Sequence, residues 1–311
     1  MKSLSLIFVI CMGLAVFILV FFFSNLMEPQ LPPKNKPVQQ SQFTTTPSEI
    51  PRQILSEDEI ETGLKLGTGS YHLKSLEVIM TWLRHQEVLA SEDQAILLSY
   101  LEQEQPTSIT SGEWEERVNE ILNFLRSQPN GVPGLADLML HMAEHDPNTV
   151  LRMYAMQHIF LWIPDEPDEG KRGEMMSYLK RVADTPSDIH SGAAVMFLSD
   201  LELRNDQKQK TSDEETINLA ALRLVENQEV NPAALISALH TCTERGVTDA
   251  LPVARQLAAD ETKMIPLRKA AIHAIGRLGE PEDVVFLDKL ARAESNLKAA
   301  IDPAKKNLQE P

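Results

Sequence analysis

From Ser56 onward the apolar residues recur at helical spacing, and no stretch shows the two-residue alternation of a half-buried strand. The clearest pattern lies between Met264 and Ala291. Leu267, Ala271, Ala274, Ile275 and Leu278 fall at i, i+4, i+7, i+8 and i+11, one stripe of a helix. Gly279 stops that helix and Pro281 restarts the chain. Val284, Leu287 and Ala291, flanked by Val285 and Leu290, give a second stripe, so this stretch reads as a helical hairpin with a short loop. Upstream, Ser56-Glu-Asp-Glu opens a helix that Gly63, Gly67 and Gly69 interrupt. Further helices are expected over 73–86, 91–104, 112–127 and 133–145. Trp82, Leu83, Ile96, Leu97, Tyr100, Trp114, Ile121, Phe124 and Leu125 supply their inner faces.

Beyond residue 146 the pattern repeats. Leu151-Arg-Met-Tyr-Ala155-Met-Gln-His-Ile159 aligns with Leu267-Arg-Lys-Ala-Ala271-Ile-His-Ala-Ile275. Ala194-Val-Met-Phe-Leu198 and Leu235-Ile-Ser-Ala-Leu239 fit the same frame, at successive offsets of 39, 41 and 36 residues. Intervening second helices are expected over 170–183, 213–226, 247–259 and 281–293. Leu297-Lys-Ala-Ala-Ile301 begins a last unit that Asp302-Pro303 should cut short as a terminal cap. With its Leu-Arg-x-x-Ala core and Asp146 six residues before Arg152, the stretch 146–301 resembles HEAT and HEAT-like repeats. The pattern departs from them at Ser191, which replaces the arginine, and before Arg268, where the acidic residue is missing. A tetratricopeptide array, with its 34-residue period, fits less well. The resemblance implies an all-α solenoid of stacked hairpins that holds other proteins on a concave face.

The front of the chain has a different character. Residues 4–23 form an uncharged apolar run, long enough as a helix to span about 30 Å of hydrocarbon. No Ala-x-Ala pattern precedes a cut near Val20-Phe21-Phe22-Phe23-Ser24, and Ile10 before Cys11 does not suit a lipoprotein signal. The run therefore reads as an uncleaved signal anchor, with a cleaved export signal as the alternative. Positive residues on its two sides nearly balance (Lys2 against Lys34 and Lys36), while the short basic head favours export. Residues 28–52 hold prolines 29, 32, 33, 37, 47 and 51 among polar residues, the composition of an extended spacer. The expected organisation is an anchor over 1–27, a linker over 28–52, a helical region over 53–145, and HEAT-like repeats with a cap over 146–311. The domain is expected on the periplasmic side of a bacterial inner membrane.

Composition sharpens this reading. Aromatic residues are only 5% of the chain while Ala, Leu and Met abound, as suits stacked helices better than sheets. A net charge of -16 argues against a nucleic-acid partner. The two cysteines, Cys11 and Cys242, allow neither a disulfide framework nor a cysteine zinc site. Met139, Met142, Met153, Met156, Met175, Met176 and Met196 suit irregular helix seams, or an adaptable docking surface.

Local chemistry is sparse. His141-Met-Ala-Glu144-His145 has the inverzincin order, with two histidines one turn apart as zinc ligands and Glu144 as a base. A third ligand is not identifiable, so a membrane-anchored zinc metallopeptidase is an alternative reading. His158, His190, His240 and His273 lie inside the repeat helices. The carboxylates of Asp165-Glu-Pro-Asp168-Glu-Gly170 lack calcium-loop spacing and read as a solvated loop. The expectation is a non-catalytic protein-docking scaffold without a cofactor. Lys180, Arg181, Glu214, Asp249, Arg255, Asp288 and Lys289, on second helices, are its candidate partner contacts. A structural or oligomer-forming element of an envelope assembly is the third reading.

Overall fold

The computed structural model describes residues 88–309 apart from 106, 108–109, 206–212 and 228. The apolar run 4–23, the linker, Cys11 and the helix expected over 73–86 lie outside them. Among the described residues there are twelve α-helices and no strand. They are α1 (Ser91–Leu101), α2 (Ser111–Arg126), α3 (Leu135–His145), α4 (Thr149–Trp162), α5 (Glu169–Ala183) and α6 (Ser191–Asn205). There follow α7 (Asp213–Glu226), α8 (Pro232–Glu244), α9 (Leu251–Ala259), α10 (Ile265–Leu278), α11 (Asp283–Ala293) and α12 (Lys298–Gln309). None of them is long and apolar enough to cross a membrane.

Helix starts are set by side-chain caps. Thr110, Asn148, Asp168 and Asn231 each accept a hydrogen bond from a first-turn N–H, satisfying donors that have no partner inside the helix. Asp168 accepts two, from Gly170 N at 2.7 Å and Lys171 N at 3.1 Å. Replacing Asp168 by Ala should cost about 1 kcal/mol, read as a lower denaturant midpoint at unchanged slope.

The helices sort into two rows. α2, α4, α6, α8, α10 and α12 pack in sequence against one another, lightly between α4 and α6 and closely from α6 onward. The stacked rings of Phe160 and Phe197, 4.5 Å between centroids, bridge the lighter contact. α3, α5, α7, α9 and α11 each pack mainly on the helix that follows them, and consecutive members of this second row make little or no contact. The first row is therefore tight and the second open. Close approach in the tight row depends on small residues. A Cβ on Gly192 of α6 would lie 2.5 Å from the Ala234 Cα of α8, and one on Gly276 of α10 the same distance from the Ala304 Cα of α12.

The core follows the expected apolar frame. Ala155, Ala194, Leu235 and Ala271 are all buried, as are Met139, Met142, Met156 and Met175. Cys242 is buried too, and burial pushes its thiol up to about 12, so it serves as a small apolar residue.

Several expectations need correction. The helix at Ser91 ends at Leu101 and not at 104. α10 packs chiefly on α9, α8 and α12, so the closely packed hairpins pair each open-row helix with its successor, not α10 with α11. Gly279 does end α10, yet its backbone is extended. Glycine is needed there because a Cβ would lie 2.5 Å from both Asp283 Oδ2 and Ile275 O. α12 runs through Asp302-Pro303 instead of stopping there. Those two residues face solvent while Ile301 and Ala304 are buried, so packing of the inner side outweighs the hydrogen bond that proline removes.

Candidate functional site

Each interior helix of the tight row is covered on both sides by its neighbours and behind by the open row, which leaves one stripe partly or fully open to solvent. On α4 the stripe is Val150, Met153, Tyr154, Gln157 and Leu161, and on α6 it is Ala193, Met196, Asp200 and Leu203. On α8 it is Ala233, Ile236, Ser237, His240 and Glu244, and on α10 it is Lys269, Ala270, His273 and Arg277. The stripes share one face because all lie opposite the open row. His240 and His273 hold the same helical position on neighbouring helices, near enough for their charges to interact.

Two chemistries run across this face. Met153, Tyr154, Ala193, Met196, Ile236 and Ala270 form a half-buried apolar band packed on the core below. Beyond it, Asp200, His240, Glu244, His273 and Arg277 form a polar border. Burial raises the Tyr154 phenol pKa, and the carboxylates of Glu115 and Glu116 raise it further, so the α2 end of the face is acidic. Burial holds His273 below its ordinary value. Of this band only Met153 and Met196 are open to a docking reading from sequence, and none of it is among the seven expected polar contacts. Its signal was present, since positions 193, 196, 200 and 203 are helically spaced, but small and apolar residues on a first helix are indistinguishable in sequence from core.

The expected contacts lie elsewhere, on the open row and the turn leading into α9. Arg181 is paired with Glu144 across α3 and α5, and its guanidinium lies over the Tyr178 ring. Arg255 makes a bidentate pair with the buried Asp283, at 2.7 and 2.9 Å. Asp288 is paired with Lys305 at 2.5 Å. Exposed Glu214 and Asp249 line a shallow groove whose other residues include Leu219, Leu222, Arg245 and Val247. Lys180 borders a narrow cleft between α5 and α7, and Lys289 is exposed on α11. The structure does not bring these seven side chains together into one site.

His141 and His145 share one side of α3 as their spacing requires, with rings stacked 4.8 Å apart. His145 Nδ1 lies 3.1 Å from the His141 carbonyl oxygen, and Glu144 is held by Arg181. Among the described residues no third His, Cys, Asp or Glu joins them in a group that could hold a metal. The Asp165–Gly170 segment also differs from a simple solvated loop. Glu166 is buried, accepting from Trp162 Nε1 at 2.6 Å and Asp168 N at 3.0 Å, so its carboxylate serves to fold the turn.

Buried histidines mark the seams of the tight row. His158 is 1% exposed, and its Nε2 lies 3.2 Å from Asn119 Oδ1, so Nε2 carries the proton and donates. Burial, reinforced by the Arg126 charge, lowers its pKa to about 3. The unfolded chain, with histidine near 6.5, therefore takes up this proton first as pH falls. The stability from neutral His158 is complete above pH 6.5 and is lost toward pH 3, at up to about 1.4 kcal/mol per pH unit. Melting temperatures from pH 7 to 4 should fall less steeply for His158→Gln than for the parent. Equal slopes would show that this imidazole does not set the acid limb.

No known family model matches the chain, and no curated protein matches it either.

Proposed function

We propose that this protein is a membrane-tethered, non-catalytic docking module, built as a HEAT-like helical superhelix that holds a protein partner on the tight-row face. The observation that carries the reading is the half-buried apolar band across α4, α6, α8 and α10, formed by Met153, Tyr154, Met196, Ile236 and Ala270. Contiguous apolar surface of this kind marks interaction sites, and methionine lets such a surface adapt to its ligand. Close spacing in one row and loose spacing in the other favours a curve with the tight row inside, and solenoids hold their partners on that inner side. The uncharged run 4–23 supplies the membrane anchor and the proline-rich 28–52 the spacer, with the domain on the exported side.

Photo-cross-linking residues placed one at a time into the full chain in its native membrane test this. Adducts to one partner are expected from positions 196 and 236 and not from 219 or 289 on the open row. Adducts confined to the open row would assign docking to the other side.

A further inference from the structure

Part of the basic charge of this acidic chain is paired internally. Arg117, Lys171, Arg181, Arg204, Arg245, Arg255, Arg268 and Lys305 each contact a carboxylate within the protein. α10 presents two basic side chains outside these pairs. Its exposed stripe carries Lys269, His273 and Arg277 at i, i+4 and i+8, and neither Lys269 nor Arg277 forms an ion pair or a side-chain hydrogen bond among the described residues. Glu244 is the only carboxylate on the α8 and α10 stripes. In a chain of net charge -16, Lys269 and Arg277 make this part of the face locally basic beside the apolar band, with Glu244 as the one opposing charge on the two stripes.

We infer that the α8–α10 part of the tight-row face receives an acidic segment of a protein partner. Carboxylates of that segment meet Lys269 and Arg277 while its aliphatic side chains cover Met196, Ile236 and Ala270. The inference rests on the docking role of this face and adds the charge of its ligand. Complementarity of this kind sets partner choice and on-rate. An anionic bilayer would offer charges of the same sign, but across a broad plane it would also meet the carboxylates that dominate the rest of the surface. A narrow segment lying along the stripe avoids them.

The test uses the full chain in neutral detergent and a displayed library of random 16-residue peptides. Enriched peptides should combine net negative charge with Leu, Ile, Val, Met or Phe. The best of them should lose at least tenfold in affinity to Lys269→Glu/Arg277→Glu, and similarly to Ile236→Asp. Ser237→Trp, which adds bulk but no charge, should also block it, and Glu214→Lys/Glu215→Lys on the open row should leave it unchanged. Neutral or basic peptides that need Ile236 but not Lys269 and Arg277 would overturn the acidic ligand and leave the docking face standing. Peptides indifferent to all these changes, or no enrichment, would overturn both. Flotation with phosphatidylglycerol vesicles that depends on Lys269 and Arg277, without acidic peptides being enriched, would replace the protein partner by lipid.

Discussion

Gly192→Ala is expected to destabilise the domain by about 3 kcal/mol, within the range for forcing atoms into a filled seam. The added methyl group would lie 2.5 Å from the Ala234 Cα and 2.6 Å from the Ala234 carbonyl oxygen. These are backbone atoms, so the two helices must separate. Trimming the partner by Ala234→Gly should therefore rescue little. At Gly276 the obstruction includes the Ala304 Cβ at 2.6 Å, so Gly276→Ala should respond somewhat better to Ala304→Gly. Denaturant unfolding of the four single variants and two pairs checks this. Full rescue of Gly192→Ala by Ala234→Gly would mean that side-chain bulk, not backbone approach, sets the spacing. Alanine is a better helix former than glycine by roughly 1 kcal/mol, so a net loss already outweighs a local gain.

Arg268→Ala is the second large effect, again about 3 kcal/mol. Arg268 is 1% exposed. Its Nε donates to the Ala258 carbonyl at 3.0 Å, and its two Nη atoms donate to the Glu294 carboxylate, one of them at 2.6 Å. One side chain thus ties α10 to the ends of α9 and α11. Truncation leaves a cavity, an unpaired carbonyl and a carboxylate without its partner. Arg268→Met keeps most of the volume and should recover part of the loss, because buried ion pairs are weak contributors when replaced by well-packed apolar groups. Equal losses for Ala and Met would put the cost in the charge pair. The pairing also lowers the Glu294 pKa, so its contribution disappears as acid protonates that carboxylate.

The sequence made Arg268 visible but not its partner. Leu-Arg-x-x-Ala marks the position, and the acidic residue sought six places earlier is absent. The actual carboxylate is Glu294, 26 residues later, where α11 ends. Arg245 gives the same lesson. It meets Glu202 at 2.7 Å and Asn218 at 2.5 Å, from α6 and α7, and neither spacing has a local rule. Helix positions were legible because 3.6-residue periodicity is a property of one segment. α5, α7 and α11 lie within two residues of their expected bounds, and α9 starts late because Thr248–Ala250 is a 3-10 turn. Which row lies tight is a property of several segments at once. It turns on whether residue 192 or 276 carries a side chain, a choice with no periodic signature. For that reason sequence alone points to the polar residues of the second helices as contacts, and leaves Met153 and Met196 of the half-buried band open between seam and docking surface.

The two rows differ in one further respect. Open-row helices are fastened to their successors and hardly to each other, so neighbouring hairpins can pivot about the glycine–alanine seams like pages about a spine. Few contacts in the open row would resist such a movement. In the proposed docking role, compliance of that kind would let one face fit ligands of different girth, and tension along the chain would be felt as a change in curvature.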